Sequence, residues 1–496
     1  SWGWAAQLYA VRSHRSWGFG DLADLRRLGS WSRQLGASFV QLNPLHASSP
    51  TPPVQASPYF PSSRRFRDPL YIAVEDVPGY RAVAATIEPI AREVHHLNDQ
   101  RLIDRDAVLG AKLRALEVIW ASGPPCRGLA QFTALAGPGL DTYTTYCALA
   151  ERHGADWRRW PRGLRAPGGR SVVRAAAELR ERTSFHRWLQ WLLDRQLARA
   201  AAELPPICDL AIGADPGGGD AWTWATDLIP GFSVGAPPDA LNLAGQDWGF
   251  PAFNPVGLAA SGFAPIRETV RANLRHAAGL RIDHVMGLFR LWLIPHGASP
   301  RQGAYVTYPS GPMLDVLAEE SRAASALVVG EDLGTVQREV RAALRRRNIL
   351  STRLLWFEPR PPRAYPRLAL AAVTTHDLPT VAGVWTGFDE EAMLRVGLQP
   401  NVAANRAIVR RMARAGGIPT AATAEDAVAA AYRALRGSPS RLLTATLEDA
   451  LVVAERPNVP GTVAEWPNWS LGLPGGLEGL RRSPSARRLA GIMAGG

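Results

Sequence analysis

Short apolar runs recur along this chain, most of them followed by an amphipathic stretch of helical period. That alternation is how a parallel β/α fold is written into sequence. WAAQLYAVRS (4–13) predicts a first strand, DLADLRRLGSWSRQLG (21–36) an amphipathic helix, and SFVQLNPLHA (38–47) a second strand ending near Asn43 and His46. PICDLAIGA (206–214) predicts the third strand. The fourth to seventh are the runs around 280, 327, 353 and 373, and DALVVAE (449–455) is the eighth. Glu331 and Asp377 are 46 residues apart with LSTRLLWF (350–357) between them. That leaves room for two strand-helix units of about 23 residues, the allotment of an eight-fold barrel. The predicted fold is an α/β (β/α)8 TIM barrel, with Asp377 two strands beyond Glu331.

Two stretches interrupt the alternation. Residues 47–204 begin with the Pro/Ser-rich HASSPTPPVQASPYFPSSRRF and continue through helical runs such as DAVLGAKLRALEVIWAS. They are too long for a loop and predict a mainly helical inserted subdomain between strands 2 and 3. Residues 388–440 predict a second helical insertion between strands 7 and 8. The remaining division is 1–46 for strands 1 and 2, 205–387 for strands 3 to 7, and 441–496 for strand 8 and a C-terminal segment. Within it, SVGAPPDALNLAGQDWGFPAFNP (233–255) is too rich in Gly and Pro to be one helix or strand over its length.

Three of the strand-like runs end in acids: Asp283 in GLRIDHVMGLFR, Glu331 in ALVVGEDLGTV and Asp377 in AAVTTHDLPT. An acid at a strand end can simply cap a helix or pair at the surface. Three acids at the C-terminal mouth of a barrel instead suggest glycosidic bond chemistry, in which one carboxylate attacks the sugar and another serves as acid and then base. Arg281 lies two residues before Asp283, on the same face of a strand, where its guanidinium is expected to hold that Asp ionised. His376 directly precedes Asp377.

Composition narrows the function classes. With 496 residues and 46% hydrophobic content the chain can bury a large core. Nothing in it reads as a membrane span or a secretory leader, although it opens at Ser1, as a fragment or processed form would. The net charge of +12 and pI near 10.3 raise nucleic acid as a partner. However, the excess is arginine spread over helix faces, Lys112 is the only lysine, and no nucleic-acid module appears. Nucleic acid is therefore not an expected partner. Cys126, Cys147 and Cys208 are odd in number and widely spaced, as reduced thiols of a cytoplasmic protein would be. His46, His284, His296 and His376 lack ligand spacing, so no metal and no cofactor are expected. GGG at 217–219 lacks the spacing of a phosphate loop and reads as a turn. Seventeen tryptophans are many for this length, and most should be core. Trp248, in the Gly/Pro-rich stretch, either stacks on a sugar face or anchors its loop.

SPYFPSSRRF, VGAPPDALNLAGQDWGFP, LRIDHVMGLFRLWLIP, YVTYP, LVVGEDLGTV, TTHDLPT and ERPNVPGTVAEWPNW, in this order from Trp2 to about Trp469, together resemble the 4-alpha-glucanotransferases. These are the amylomaltases, or disproportionating enzymes, of glycoside hydrolase family 77 in the alpha-amylase clan. The resemblance implies a retaining, two-step transfer of alpha-1,4-glucan segments from maltooligosaccharides or starch- or glycogen-like glucans to glucose or another glucan. By motif, Asp283 would be the nucleophile, Glu331 the general acid/base, carrying a proton at rest, and Asp377 the stabiliser of the transition state. Arg281, His376 and Tyr59 would flank the cleavage subsite. Asp239, Gln246 and Trp248 would lie on a flap, 233–253, over the acceptor side, with Asn458 and Pro460 on the rim. His284 follows the nucleophile, and Asp220 is carried over from a segment, DLAIGADPGGGDAW, that departs from the family pattern. Further departures are Phe250 in WGFP and Ser470 after PNW. Some relatives also carry an N-terminal sandwich domain, which this chain would lack or have lost. Two other readings stand beside this one: an alpha-glucan hydrolase of the same clan, and a barrel that binds glucan without catalysis.

Overall fold

The computed structural model describes residues 1–238, 244–334 and 336–495. In chain order the strands are β1 (Trp2–Ala6), β2 (Phe39–Leu42), β3 (His46–Ala47), β4 (Ser63–Arg67), β5 (Pro206–Leu210), β6 (Phe232–Ala236) and β7 (Gln246–Phe250). They continue as β8 (Gly279–Ile282), β9 (Arg290–Pro295), β10 (Ala304–Thr307), β11 (Leu327–Gly330), β12 (Leu350–Leu354), β13 (Ala369–Ala372) and β14 (Leu442–Thr446). Eight of these close a parallel barrel in the order β1-β14-β13-β12-β11-β8-β5-β2. The fold is therefore the (β/α)8 barrel that the apolar runs predict.

The barrel strands are short and buried on both faces, as parallel strands wrapped in helices must be. Gly3 lets β1 and β2 approach closely: a Cβ there would stand 2.2 Å from the Phe39 carbonyl oxygen. Outside, the helix Leu22–Gln34 starts at Asp21, whose carboxylate accepts the N–H groups of Ala23 and Asp24 at 2.9 and 3.1 Å. Its Trp31 stacks on Trp4 of β1 at 6.0 Å, fixing the helix against the barrel.

Between β2 and β5 the chain forms the β3–β4 hairpin and a series of helices that includes Arg105–Ala121 and Arg180–Glu203. Lys112 sits fully buried in the first of these, with its ammonium donating to the carbonyls of Leu70 and Ile72 at 2.6 and 2.8 Å. Burial drives its pKa down, and nearby Asp21 is pushed up to about 8 by burial and by Asp24. Between β13 and β14 lie four helices, from Val381–Thr386 to Ala424–Arg436. No helix among the described residues is long and apolar enough to cross a membrane.

One reading needs correction. The eighth barrel strand is Leu442–Thr446, and DALVVAE instead holds the end of the helical turn Leu447–Ala450 and the bend after it. A short apolar run does not declare helix or strand by itself. The true strand looked polar because Thr444 and Thr446 line the barrel interior. The Gly/Pro-rich stretch at 233–255, expected not to be one element over its length, carries two short strands. β6 and β7 form an antiparallel pair joined to β9 and β10 in a separate four-stranded sheet, ordered β10-β9-β6-β7. Their pairing depends on β9, more than 40 residues away, which no local pattern announces.

Candidate active site

Parallel strands point their C-terminal ends to one mouth of the barrel. β5 brings Asp209, β8 brings Arg281 and then Asp283, β11 is followed by Glu331, and β13 by the segment carrying His376 and Asp377. Backbone pairing continues past the strand ends: the Asp283 N–H donates to the Leu210 carbonyl and the Glu331 N–H to the Ile282 carbonyl, both at 3.0 Å. The acids thus emerge from a braced rim. Both Glu331 carboxylate oxygens accept backbone N–H groups, from His284 at 3.0 Å and Leu333 at 2.9 Å.

Arg281 is the electrostatic hub. Its Nη1 donates to both oxygens of Asp209 at 2.8 Å and to Asp283 Oδ1 at 3.2 Å. The Tyr59 hydroxyl donates to Asp209 Oδ2 at 2.7 Å and lies 3.5 Å from His376 Nδ1. His376 Nε2 meets Asp377 Oδ2 at 3.1 Å, and Asn458 Nδ2 donates to Asp377 Oδ1 at 2.7 Å. One polar chain therefore runs from Asp283 through Arg281, Asp209, Tyr59 and His376 to Asp377.

The environments push the carboxyls apart. Asp283 is raised to about 7, first by burial and then by Asp209, Glu331 and Asp377, with Arg281 opposing. Burial would also raise Asp377, but the charge and hydrogen bond of His376 and the amide of Asn458 overcome it and hold the group at about 2. The same pairing lifts the His376 imidazole against its own burial. Arg281 favours the ionised form of Asp283, but its guanidinium is shared with Asp209 and burial outweighs it.

Behind these groups stands an aromatic wall. The Trp469 ring lies 5.3 Å from Tyr59 and 5.2 Å from His376, on a backbone held at φ 60°, where a bulky residue is strained. Arg105, from the inserted helices, donates to the Trp469 carbonyl and, at 3.2 Å, to Ser470 Oγ. A polar cavity of about 50 Å³ lies in the barrel interior beneath the site, with Gln41, Asp209, Arg281, His376 and Glu448 in its walls. Burial raises Glu448 to about 7. A second cavity, apolar and about 100 Å³, adjoins Asp283 and His284.

The other expected residues fall as follows. Gln246 Oε1 accepts the Trp248 indole N–H at 2.8 Å, and the Trp248 ring stands edge-on to His284 at 5.3 Å. Pro460 is exposed one residue past buried Val459. Asp239 lies outside the described residues. Asp220 ties down β4, its oxygens accepting from Ser63 Oγ at 2.6 Å, the Arg64 N–H at 2.7 Å and Arg65 Nε at 3.3 Å, and it lines the apolar cavity that adjoins Asp283. Asp209, Trp469 and Arg105 were not singled out from sequence. The first had a signal, a lone acid inside the apolar run PICDLAIG. The other two meet the site only through long-range packing. No group of three His, Cys, Asp or Glu with metal-binding geometry occurs among the described residues.

The family model for 4-alpha-glucanotransferase matches residues 6–476. The 4-alpha-glucanotransferase of Mycobacterium tuberculosis (strain ATCC 25618 / H37Rv) is 42% identical over 517 residues, covering 96% of this chain and 71% of that protein. The Haemophilus influenzae enzyme of the same name is 33% identical, covering 94% of this chain and 74% of that one. Among solved structures, amylomaltase from Corynebacterium glutamicum superposes with a TM-score of 0.89 at 36% identity, covering 99% of this chain and 75% of that one. Amylomaltase from Streptococcus agalactiae, solved with acarbose, has a TM-score of 0.81, covers 99% of this chain and 98% of that one, and at 17% identity speaks for the fold alone.

Proposed function

The chain belongs to the 4-alpha-glucanotransferase family, and from that premise we propose how its own residues carry out the transfer. The single observation that supports the assignment of roles is the polar chain linking Asp283 to Asp377, with Glu331 fixed beside it on the neighbouring strand. Asp283 attacks the anomeric carbon while Glu331 protonates the departing glycosidic oxygen, giving a covalent beta-glucosyl intermediate. Positive charge grows on the sugar ring, and Asp377, ionised throughout, holds the ring hydroxyls more tightly in that state. Glu331 then takes the proton of an incoming 4-hydroxyl, and the alpha configuration is restored.

The first step needs Asp283 as a carboxylate and Glu331 as the proton donor. Because burial raises Asp283, ionising it for attack has a cost, drawn from contacts made elsewhere along the glucan. Arg281 and Asp209 hold the nucleophile, while Tyr59, His376 and Asn458 line the cleavage subsite. Gln246 and Trp248 shape the acceptor side, and segment 233–253 favours sugar over water as acceptor. The substrates in this reading are maltooligosaccharides, glucose and starch- or glycogen-like glucan, without nucleic acid. The three unpaired cysteines suit a cytoplasmic setting.

Family membership favours transfer over the hydrolase and non-catalytic readings. The deciding experiment is incubation with maltotriose. A transferase releases glucose and builds a ladder of longer chains, whereas glucose and maltose with no ladder would refute transfer. Loss of turnover in Glu331→Gln separates catalysis from mere binding.

A further inference from the structure

The four-stranded sheet has two unlike faces. Leu293 of β9, Val234 of β6 and Phe250 of β7 form an apolar cluster, against which Leu291, Val306 and Trp248 pack. Side chains alternate along a strand, so Arg290, Trp292 and Ile294 of β9 turn to the other face, with Tyr305 of β10 directly opposite Trp292. Ile294 is buried at one end of that face, while Tyr305, on the edge strand, is 45% exposed.

Tyr305 is fixed despite its exposure. The Trp292 ring meets it edge-on at 4.9 Å, and the Arg290 guanidinium lies 4.1 Å from its centroid. Trp292 is itself anchored by its indole N–H to the Pro300 carbonyl at 2.9 Å, and Tyr308, three residues on, donates to the Phe253 carbonyl at 2.7 Å. Among the described residues no carboxylate pairs with Arg290. An oriented ring beside an unpaired guanidinium matches a pyranose, which presents a C–H face for stacking and a rim of hydroxyls to accept hydrogen bonds. A protein partner would need roughly 800 Å² on each side, far more than a few exposed groups provide.

We propose that Tyr305, Trp292 and Arg290 form a secondary binding platform for alpha-1,4-glucan, outside the catalytic cleft. The location suits a tether. Trp248 of the same sheet touches His284, the neighbour of Asp283, and the charge of Arg290 reaches far enough to help lower the His284 imidazole, after the larger effect of burial. A long glucan held here keeps a high local concentration of chain ends at the mouth of the barrel, while a trisaccharide is too short to gain from it. This inference rests on the transferase reading for its ligand.

The test uses the full chain. In a Glu331→Gln background, so that the polymer is not consumed, retardation by soluble amylose in native gels is compared with and without Tyr305→Ala. The expected result is a loss of affinity of about fivefold, within the range for one aromatic contact, restored by Tyr305→Trp. In the otherwise unmodified enzyme, Tyr305→Ala should leave maltotriose disproportionation within about twofold, a prediction made because the ring makes no contact with the catalytic acids. Unchanged amylose retardation would overturn the platform. A parallel fall in maltotriose turnover would also overturn it, by moving Tyr305 into the cleft. Absence of a ladder from the unmodified enzyme would instead count against the transferase reading, and the gel result would stand apart from it.

Discussion

Replacing Asp283 by Asn should make the folded protein more stable while removing its activity. The carboxyl is raised from 3.8 to about 7, chiefly by burial. At 1.36 kcal/mol per pH unit this corresponds to about 4 kcal/mol. That figure, already net of the attraction to Arg281, is an upper bound because the side chain is 20% exposed. A net gain of roughly 2–4 kcal/mol is expected at pH 8. The sign follows from the direction of the shift. A folded-state pKa above the unfolded one gives stability that is complete below about 3.8 and lost as pH rises through about 7. Urea or thermal unfolding of both proteins between pH 5 and 8 should therefore show the advantage of Asn growing up to about pH 7 and then levelling off. An advantage that does not vary with pH, or an Asn variant less stable than the native chain at pH 8, would refute the electrostatic account of this site.

The same carboxyl should govern catalysis by the free enzyme, so kcat/KM for maltotriose should fall on the acid side of about pH 7, and Asp377, held near 2, should not contribute to that limb. Glu331→Gln should lower kcat by at least about 10²-fold, while calorimetry finds maltotriose still bound. Tyr59→Phe removes the hydroxyl that donates to Asp209 at 2.7 Å. A hydrogen bond to a charged group is worth about 1.5–3 kcal/mol, so kcat/KM should fall roughly 10- to 100-fold, and an unchanged value would detach Asp209 from the mechanism. Trp469→Ala should lower unfolding stability by about 3–5 kcal/mol, and Arg105→Gln should act in the same direction, measured by denaturant midpoints.

The barrel and its acids were legible for a physical reason. Strands buried on both faces read as apolar runs, and a charged residue at the end of such a run, as in LRID or VVGE, stands out against them. The eighth strand was not legible, because its threonines face a polar barrel interior and mask the apolar signal that the neighbouring DALVVAE displays more strongly. The four-stranded sheet was hidden for another reason. Its strands are short, interrupted by Gly235, Pro237 and Pro238, and stabilised by partners far along the chain. The electrostatic surroundings of Asp283 were the least legible property. RID alone places a guanidinium beside Asp283, but not the second claimant, Asp209, which comes from another strand and also holds that guanidinium. Trp469 and Arg105 belong to the same class, since their roles arise from contacts across hundreds of residues.

The sealed environment of Lys112 has a practical consequence. It carries the only primary amine among the side chains of this sequence, enclosed between two carbonyls, so acylating reagents should spare it while the protein stays closed. Its labelling rate would then act as a built-in clock for opening of the region where the inserted helices meet the barrel.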